Sequence, residues 1–308
     1  MRPNPLAPVG ALMLLILLLQ GCYSFRERPK AIHAYFRRHN VEGRIDHYTA
    51  LNRKMYYAET GTYGKPVVVF VHGSPGSLSA FVPFLTDSLL LRRARLISVD
   101  RPGFGYSGYG VAEPSLDRQS AILREIVAQK KSDRPVILAG HSLAGPLVVK
   151  IAVQYPELVD GIVIIAGSID PDLEPNELWF RAPLATPFLS WILPGAFRSS
   201  NEELYHLEPQ LRAMITDWKK ITCPVVVVHG KKDQFVPFGN VHFAERSLTA
   251  APVKYILDDD ANHFIPWTKP QMITEGVHYL LDVLSVQKDR LKPATSAPDS
   301  VDAAIDIH

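Results

Sequence analysis

The stretch Ala139-Gly140-His141-Ser142-Leu143-Ala144-Gly145 decides how the rest of the chain is read. It follows directly on Val136 to Ala139, an apolar run of strand character, and opens directly into a helical pattern from Leu143 to Tyr155. A chain that passes from strand to helix in one tight turn holds the central residue in a strained conformation. Small residues must flank that residue so that helix and strand can approach. The pattern is G-x-S-x-G with one departure, Ala144 at the place of the second glycine, and Ala is still small enough. The turn therefore predicts that Ser142 is lifted clear of the backbone at the carboxyl end of a buried strand.

Outward from this turn, strand and helix signals alternate. Pro66-Val-Val-Val-Phe-Val71 is a continuous β-branched run, as expected of a strand buried on both faces. Arg53 to Thr60, Arg95 to Val99, Val159 to Ala166, Val225 to His229 and Val253 to Leu257 read as further strands. Leu116 to Lys130 and Pro270 to Val286 read as helices between or after them. Strands separated by helices pair in parallel with helices on both faces, so the expected architecture is a doubly wound α/β sheet. One segment breaks the rhythm. Between Ala166 and Val225 no strand is evident, and Pro171, Pro175, Pro183, Pro187 and Pro194 punctuate apolar groups such as Trp179-Phe180. A structureless loop of this length is improbable in a compact domain, so a helical cap over about 170–220 is expected. The folded domain is expected over 41–288, and the Ala-, Pro-, Ser- and Asp-rich tail 289–308 is expected to be disordered.

A serine hydroxyl is a weak nucleophile at neutral pH and needs a base that is itself oriented by a carboxylate. Among the histidines after Ser142, His263 alone falls in a loop beyond a late strand, in Asp260-Ala-Asn-His263-Phe. His206 lies in the cap, His229 ends a strand, His242 and His278 sit in helical patterns, and His308 is in the tail. For the acid, Asp233 lies in His229-Gly-Lys-Lys-Asp233, at the carboxyl end of a buried strand where ligand-facing groups collect. Asp170, after the preceding strand, is the rival. Asp258, Asp259 and Asp260 are too near His263 in sequence to orient it and read as a solvated turn. His72-Gly73-Ser74-Pro75-Gly76 again ends a buried strand. Its Ser74 N–H, with that of Leu143, is expected to form an oxyanion hole, since Pro75 has no N–H to give. His72 reads as a strand-end residue that fixes this loop.

Taken in order, His72-Gly-Ser-Pro-Gly76, Asp100-Arg-Pro-Gly-Phe-Gly-Tyr-Ser107, Gly140-His-Ser-Leu-Ala144, His229-Gly-Lys-Lys-Asp233 and Asn262-His263 resemble the α/β-hydrolase superfamily. The likeness is to its branch of capped esterases, epoxide hydrolases and proline iminopeptidases, and covers roughly Arg53 to Val286. It implies a catalytic triad of Ser142, Asp233 and His263, with no cofactor and no metal. Asp100 and Arg101 read as a structural turn. Epoxide hydrolases and haloalkane dehalogenases of this branch carry a carboxylate where this chain has Ser142, so both are disfavoured. A carboxylic ester hydrolase using an acyl-enzyme is the leading expectation. An aminopeptidase is the alternative, because Asp172, Glu174, Glu177, Glu202 and Glu203 of the cap could receive a free amino terminus. Those acids read equally as the wet face of a helix. A lipid-anchored binding protein that keeps the fold without the activity is a third reading.

The N-terminus reads as a targeting segment. Arg2 precedes the uncharged apolar run Val9 to Leu19, which is short for a bilayer span and suited to a secretory signal. The run ends in Leu19-Gln20-Gly21-Cys22, which resembles the lipobox of bacterial lipoproteins. That likeness implies cleavage of residues 1–21, lipidation of Cys22, and a membrane partner through the anchor, outside the cytoplasm. Residues 22–40, with Arg26, Arg28, Lys30, Arg37 and Arg38, read as a basic stalk or solvated linker helix. The chain has two cysteines, so lipidation of Cys22 leaves Cys223 alone and no disulfide framework. A formal charge of +2 over 308 residues argues against a nucleic-acid partner, which needs a clear excess of Lys and Arg.

Overall fold

The computed structural model describes residues 24–291, with side chains through 286. The signal segment, Cys22 and the tail beyond 291 lie outside the described residues. Among the described residues eight strands form a single sheet in the order β1-β2-β4-β3-β5-β6-β7-β8. They are β1 Gly43–Ala50, β2 Arg53–Thr60, β3 Val67–Val71, β4 Arg95–Val99, β5 Val136–His141, β6 Gly161–Ile165, β7 Val225–Gly230 and β8 Val253–Asp258. The pairs β1/β2 and β2/β4 are antiparallel and all others are parallel, giving the expected doubly wound sheet with an antiparallel edge.

The β-branched runs bury both faces, and the period of two sorts them. Val67, Val69 and Val71 of β3 join one core with Val136 and Leu138 of β5 and Val225 and Val227 of β7. Val68, Phe70, Ile137, Ala139, Val226 and Val228 join the core on the opposite face. Helices Leu116–Lys130 and Ala144–Gln154 cover the first face, and Pro270–Leu291 covers the second. The last helix runs past Val286, where the apolar pattern stops. β1 carries no such run: its burial alternates weakly because it is the outer strand, and its Arg44, Asp46 and His47 face solvent or ion partners. For that reason it was not legible as a strand.

Residues 24–40 are not a free linker, contrary to the sequence reading. Helix Pro29–Arg38 buries Ile32 and Phe36 in the core. Each burial contributes about 1.5–3 kcal/mol. Ahead of it, the Phe25 carbonyl accepts from Ser77 Oγ at 2.5 Å, the Glu27 N–H donates to Ser79 Oγ at 2.8 Å, and Arg26 Nη1 donates to the Gly105 carbonyl. The spacing of Ile32 and Phe36 at i, i+4 carried the signal, but it is too short to rise above the surrounding charges.

Between β6 and β7 the chain forms the helical cap. A 3-10 turn Pro171–Leu173 leads to helices Leu178–Ala185, Pro187–Ser190, Gly195–Tyr205 and Leu207–Met214. Among the described residues no helix is long and apolar enough to cross a membrane.

Candidate active site

The turn after β5 takes the geometry its sequence predicts. Ser142 has φ of +56° and its N–H donates to the Ile165 carbonyl at 2.9 Å, which pins the turn to β6. The close approach has moved one residue along: a Cβ on Gly145 would lie 2.8 Å from Gly167 Cα, whereas Ala144 is accommodated and fully buried. The departure from the usual glycine spacing is thereby explained. Gly73, at the end of β3, abuts the same serine, since a Cβ there would lie 2.9 Å from Ser142 Cβ.

Three loops from different parts of the chain bring Ser142, His263 and Asp233 together. His263 Nε2 is 3.0 Å from Ser142 Oγ and its Nδ1 is 2.8 Å from Asp233 Oδ2. Asp233 is buried; its other oxygen accepts from the Phe235 N–H at 2.9 Å and the Val236 N–H at 2.8 Å. Burial alone would raise the Asp233 pKa, but the hydrogen bond and charge of His263, the Val236 N–H and His229 outweigh it and hold the carboxyl below its usual range. It is therefore an anion that can fix the Nδ1–H tautomer of His263 and leave Nε2 facing the serine. The His263 carbonyl accepts from His141 Nε2 at 3.0 Å, so the residue before Ser142 holds the His263 loop. Burial, then the charge of His263, pushes the His141 pKa down to about 3.

The loops carrying Asp233 and His263 are also stitched to one another. The Lys231 and Lys232 N–H groups donate to the carbonyls of Asp258 and Ala261. Their ammonium groups pair with Asp259 at 2.7 Å and Asp260 at 2.5 Å, while Asp258 accepts from the Asp260 and Ala261 N–H groups. The acidic run expected as a solvated turn thus aligns the His263 loop. Asp170 does not reach His263. It caps the turn Pro171–Leu173 and pairs with Arg246 at 2.6 Å.

Leu143 follows Ser142 directly and Ser74 follows Gly73, whose backbone abuts Ser142; among the described residues neither the Ser74 nor the Leu143 N–H has an acceptor. What holds the Ser74 loop was only half legible. Arg101, fully buried, donates through Nε to the His72 carbonyl at 2.8 Å and through Nη2 to the Gly73 carbonyl at 3.2 Å. Glu203 neutralises it at 2.6 and 3.0 Å and also accepts from Ser74 Oγ and Gln119 Nε2, each at 2.7 Å. The reading of Glu203 as a wet-face acid is corrected: it is buried, and it ties the cap to the Ser74 loop. His72 Nε2 accepts from the Arg101 N–H at 3.0 Å, so its proton sits on Nδ1 and goes to the Gly73 carbonyl at 2.7 Å. Burial and the Arg101 charge keep this imidazole neutral, with its pKa well below the usual value. It fixes the loop and is turned away from base chemistry.

Among the other cap acids, Asp172 pairs with Arg212 and Glu177 with Arg181, and Glu202 lies 4.0 Å from His206. Glu174 accepts from Ser168 Oγ, and burial raises its pKa. These groups, except Glu202, border a cavity of about 620 Å³ within the cap. Phe235, Phe264 and Trp267 form an exposed apolar rim beside His263; the first two rings lie 5.5 and 5.9 Å from its imidazole. Cys223 is half-buried, and burial pushes its thiol up to about 12, which leaves it inert. Among the described residues no group of three or more His, Cys, Asp or Glu side chains could hold a metal ion.

Comparison with known proteins bears on this geometry. A family model described as the alpha/beta hydrolase family matches residues 68–273. Protein ABHD8 of Bos taurus is 26% identical over 258 residues, covering 72% of this chain and 57% of that one. The chain thus spans little more than half the length of the first curated relatives it matches. The 2-hydroxy-6-oxo-6-(2'-aminophenyl)hexa-2,4-dienoic acid hydrolase of Metapseudomonas resinovorans is 24% identical over 270 residues, covering 77% of this chain and 90% of that one. Among solved structures, a membrane phospholipase A described as a novel bacterial virulence factor superposes with a TM-score of 0.61. It is 16% identical and the match covers 90% of this chain and 98% of that one, a likeness of fold.

Proposed function

This chain belongs to the alpha/beta hydrolase family, and from that premise we propose that it is a serine hydrolase acting on carboxylic esters through an acyl-enzyme. The observation that carries the reading is the continuous chain from Ser142 Oγ through His263 to buried Asp233, with contacts of 3.0 and 2.8 Å. His263 Nε2 takes the hydroxyl proton as Ser142 Oγ attacks the ester carbonyl. The Leu143 and Ser74 N–H groups receive the charge that forms on the carbonyl oxygen, each contributing about 3–4 kcal/mol to the transition state. His263 then passes its proton to the leaving alcohol as the tetrahedral adduct collapses. Water, deprotonated by His263, attacks the acyl-enzyme; the carboxylic acid leaves and Ser142 recovers its proton. The apolar rim of Phe235, Phe264 and Trp267 beside His263 favours an apolar acyl or aromatic group.

The aminopeptidase reading keeps one specific support. Glu174, bonded to Ser168, is the cap acid without an Arg ion pair that lies nearest in the chain to the Ser142 contact of Ser168. A panel of acyl esters and N-terminal Pro or Ala amides decides between the two. Ester hydrolysis at least about 10³-fold faster in the native protein than in Ser142→Ala supports the proposal. Cleavage of amides alone moves the assignment to the peptidase. Neither reaction, from folded protein, leaves a binding protein and overturns both. The Leu19-Gln-Gly-Cys22 pattern supports a lipid anchor at Cys22 outside the cytoplasm. Labelled palmitate incorporated by the native chain and lost in Cys22→Ala is the expected result; equal labelling of both contradicts it.

A further inference from the structure

The cap contains an anomaly that the ester chemistry does not use. From Asp172 to Pro194 not one residue is buried, although the stretch holds Leu178, Trp179, Phe180, Leu184, Phe188, Leu189, Trp191, Ile192 and Leu193. Helices Leu178–Ala185 and Pro187–Ser190 hold no fully buried residue. Trp179 is 79% exposed and Phe188 81% exposed. Between Leu178 and Phe197 the single charged residue is Arg181, which is turned back to Glu177 and over the Phe180 ring. An amphipathic helix turns its apolar face to a core and its polar face to water. Here Leu178, Trp179, Phe188 and Trp191 face outward while the other apolar residues are half-buried, and few polar ones accompany them, the signature of a surface that something else covers.

The chain itself indicates the occupant. Phe25 stacks edge-on against Phe197 of the cap at 5.5 Å, and Arg26 lies over the rings of Tyr106 and Tyr109 at 4.5 and 4.9 Å. The N-terminal segment is thus fastened to the cap. Two residues, Tyr23 and Ser24, separate Phe25 from Cys22, and an extended chain over those three steps reaches at most about 11 Å. An apolar run ends immediately before. Whatever bilayer receives that N-terminus is therefore held beside the cap's exposed aromatics. Exposed Arg28, Lys30, Arg37 and Arg38 follow at once and suit anionic headgroups. Tryptophan at such a surface is the side chain that settles at the interface between headgroups and acyl chains.

We propose that the apolar cap surface formed by Leu178, Trp179, Phe188, Trp191 and Phe197 docks into the bilayer to which the N-terminus is tethered, so that Ser142 draws acyl esters from that membrane. The docking half stands on the cap and rests on the proposed anchor at Cys22; the substrate half rests on the serine-hydrolase reading. The full chain, solubilised and reconstituted in vesicles of phosphatidylethanolamine and phosphatidylglycerol, tests both. With acyl chains brominated, tryptophan emission falls by up to about half, because Trp179 and Trp191 are two of the four tryptophans. The loss disappears in Trp179→Phe/Trp191→Phe. Emission that is unquenched, or equally quenched in that variant, overturns the docking, including the case in which a protein partner or a second copy covers the cap. In Trp179→Ser/Phe188→Ser, hydrolysis of a long-chain ester embedded in the vesicles falls about tenfold or more, while a soluble short-chain ester is turned over within about twofold of the native rate. Equal loss on both esters overturns the substrate half. If the native chain hydrolyses neither ester, the hydrolase reading fails and the quenching still decides the docking.

Discussion

The helix Gly195–Tyr205 and the helices just before it belong to one cap, yet they handle polarity in opposite ways. The later helix buries Ser199, Ser200, Asn201 and Glu203, a carboxylate taken out of water to meet Arg101 and Ser74. The earlier ones leave Leu178, Trp179 and Phe188 in the open. A buried charge is expensive unless it is paired, so where one is kept the position of its partners is being fixed. Exposed aromatics cost little in stability, so where they gather nothing in the fold requires them. The first region holds the Ser74 loop in place; the second is available for something outside the fold.

The contrast is broken most severely at the site the buried charges surround. Asp233→Asn is expected to lower kcat/KM by about 10³–10⁴-fold, since it forfeits the anion that sets the His263 tautomer. Asp170→Asn, its rival in the sequence, should stay within about threefold, because Asp170 engages Arg246 and a turn. Reversed effects in steady-state ester hydrolysis would reassign the acid. Next, Glu203→Ala strands the Arg101 guanidinium and should cost about 3–5 kcal/mol in urea unfolding. A loss under about 1 kcal/mol would mean that the pair does not fix the loop.

Acid should loosen the same region. His72, His141 and His229 are held neutral, mainly by burial, with folded pKa values below the unfolded one. The unfolded chain binds those protons below about pH 6.5 and the folded one does not, so their stability is present above that pH and lost as it falls. Asp100 acts in the opposite sense: burial raises it to about 7, so the folded chain holds a proton there that the unfolded chain has shed. With three such imidazoles against Asp100, stability is expected to fall as the pH drops from 6 to 5. Urea midpoints that stay flat over this range would contradict the sign. At the other extreme, Trp179→Ser and Phe188→Ser should each shift stability by less than about 0.5 kcal/mol, against about 3–5 kcal/mol for Phe70→Ala in the sheet's core. A large loss at Trp179 would place it in the fold after all.

The difference between the two regions also explains what could be read in advance. The sheet was legible because β3, β5 and β7 are buried on both faces and so are written as unbroken β-branched runs. Ser142 and Asp233 were legible because each follows such a run in a turn of small or polar residues, and His263 because it lies in a polar loop after the last strand. β1 and the helix Pro29–Arg38 were not, since an edge strand and a two-residue apolar face leave little trace among charges. Glu203 was misread because its partners come from β3 and β4 regions more than a hundred residues away, and no local pattern records such a pairing. The outward-facing cap was visible as apolar text, but only its burial distinguishes it from core.

The most direct measurement of the central claim is intact mass after exposure to a fluorophosphonate, which phosphonylates a serine activated by its neighbours. The native chain is expected to gain one adduct, mapped to Ser142, with none on Ser142→Ala and labelling slowed by orders of magnitude in His263→Ala. A folded native chain that takes no adduct, or that takes it at another residue, would contradict the assignment of Ser142 as the nucleophile.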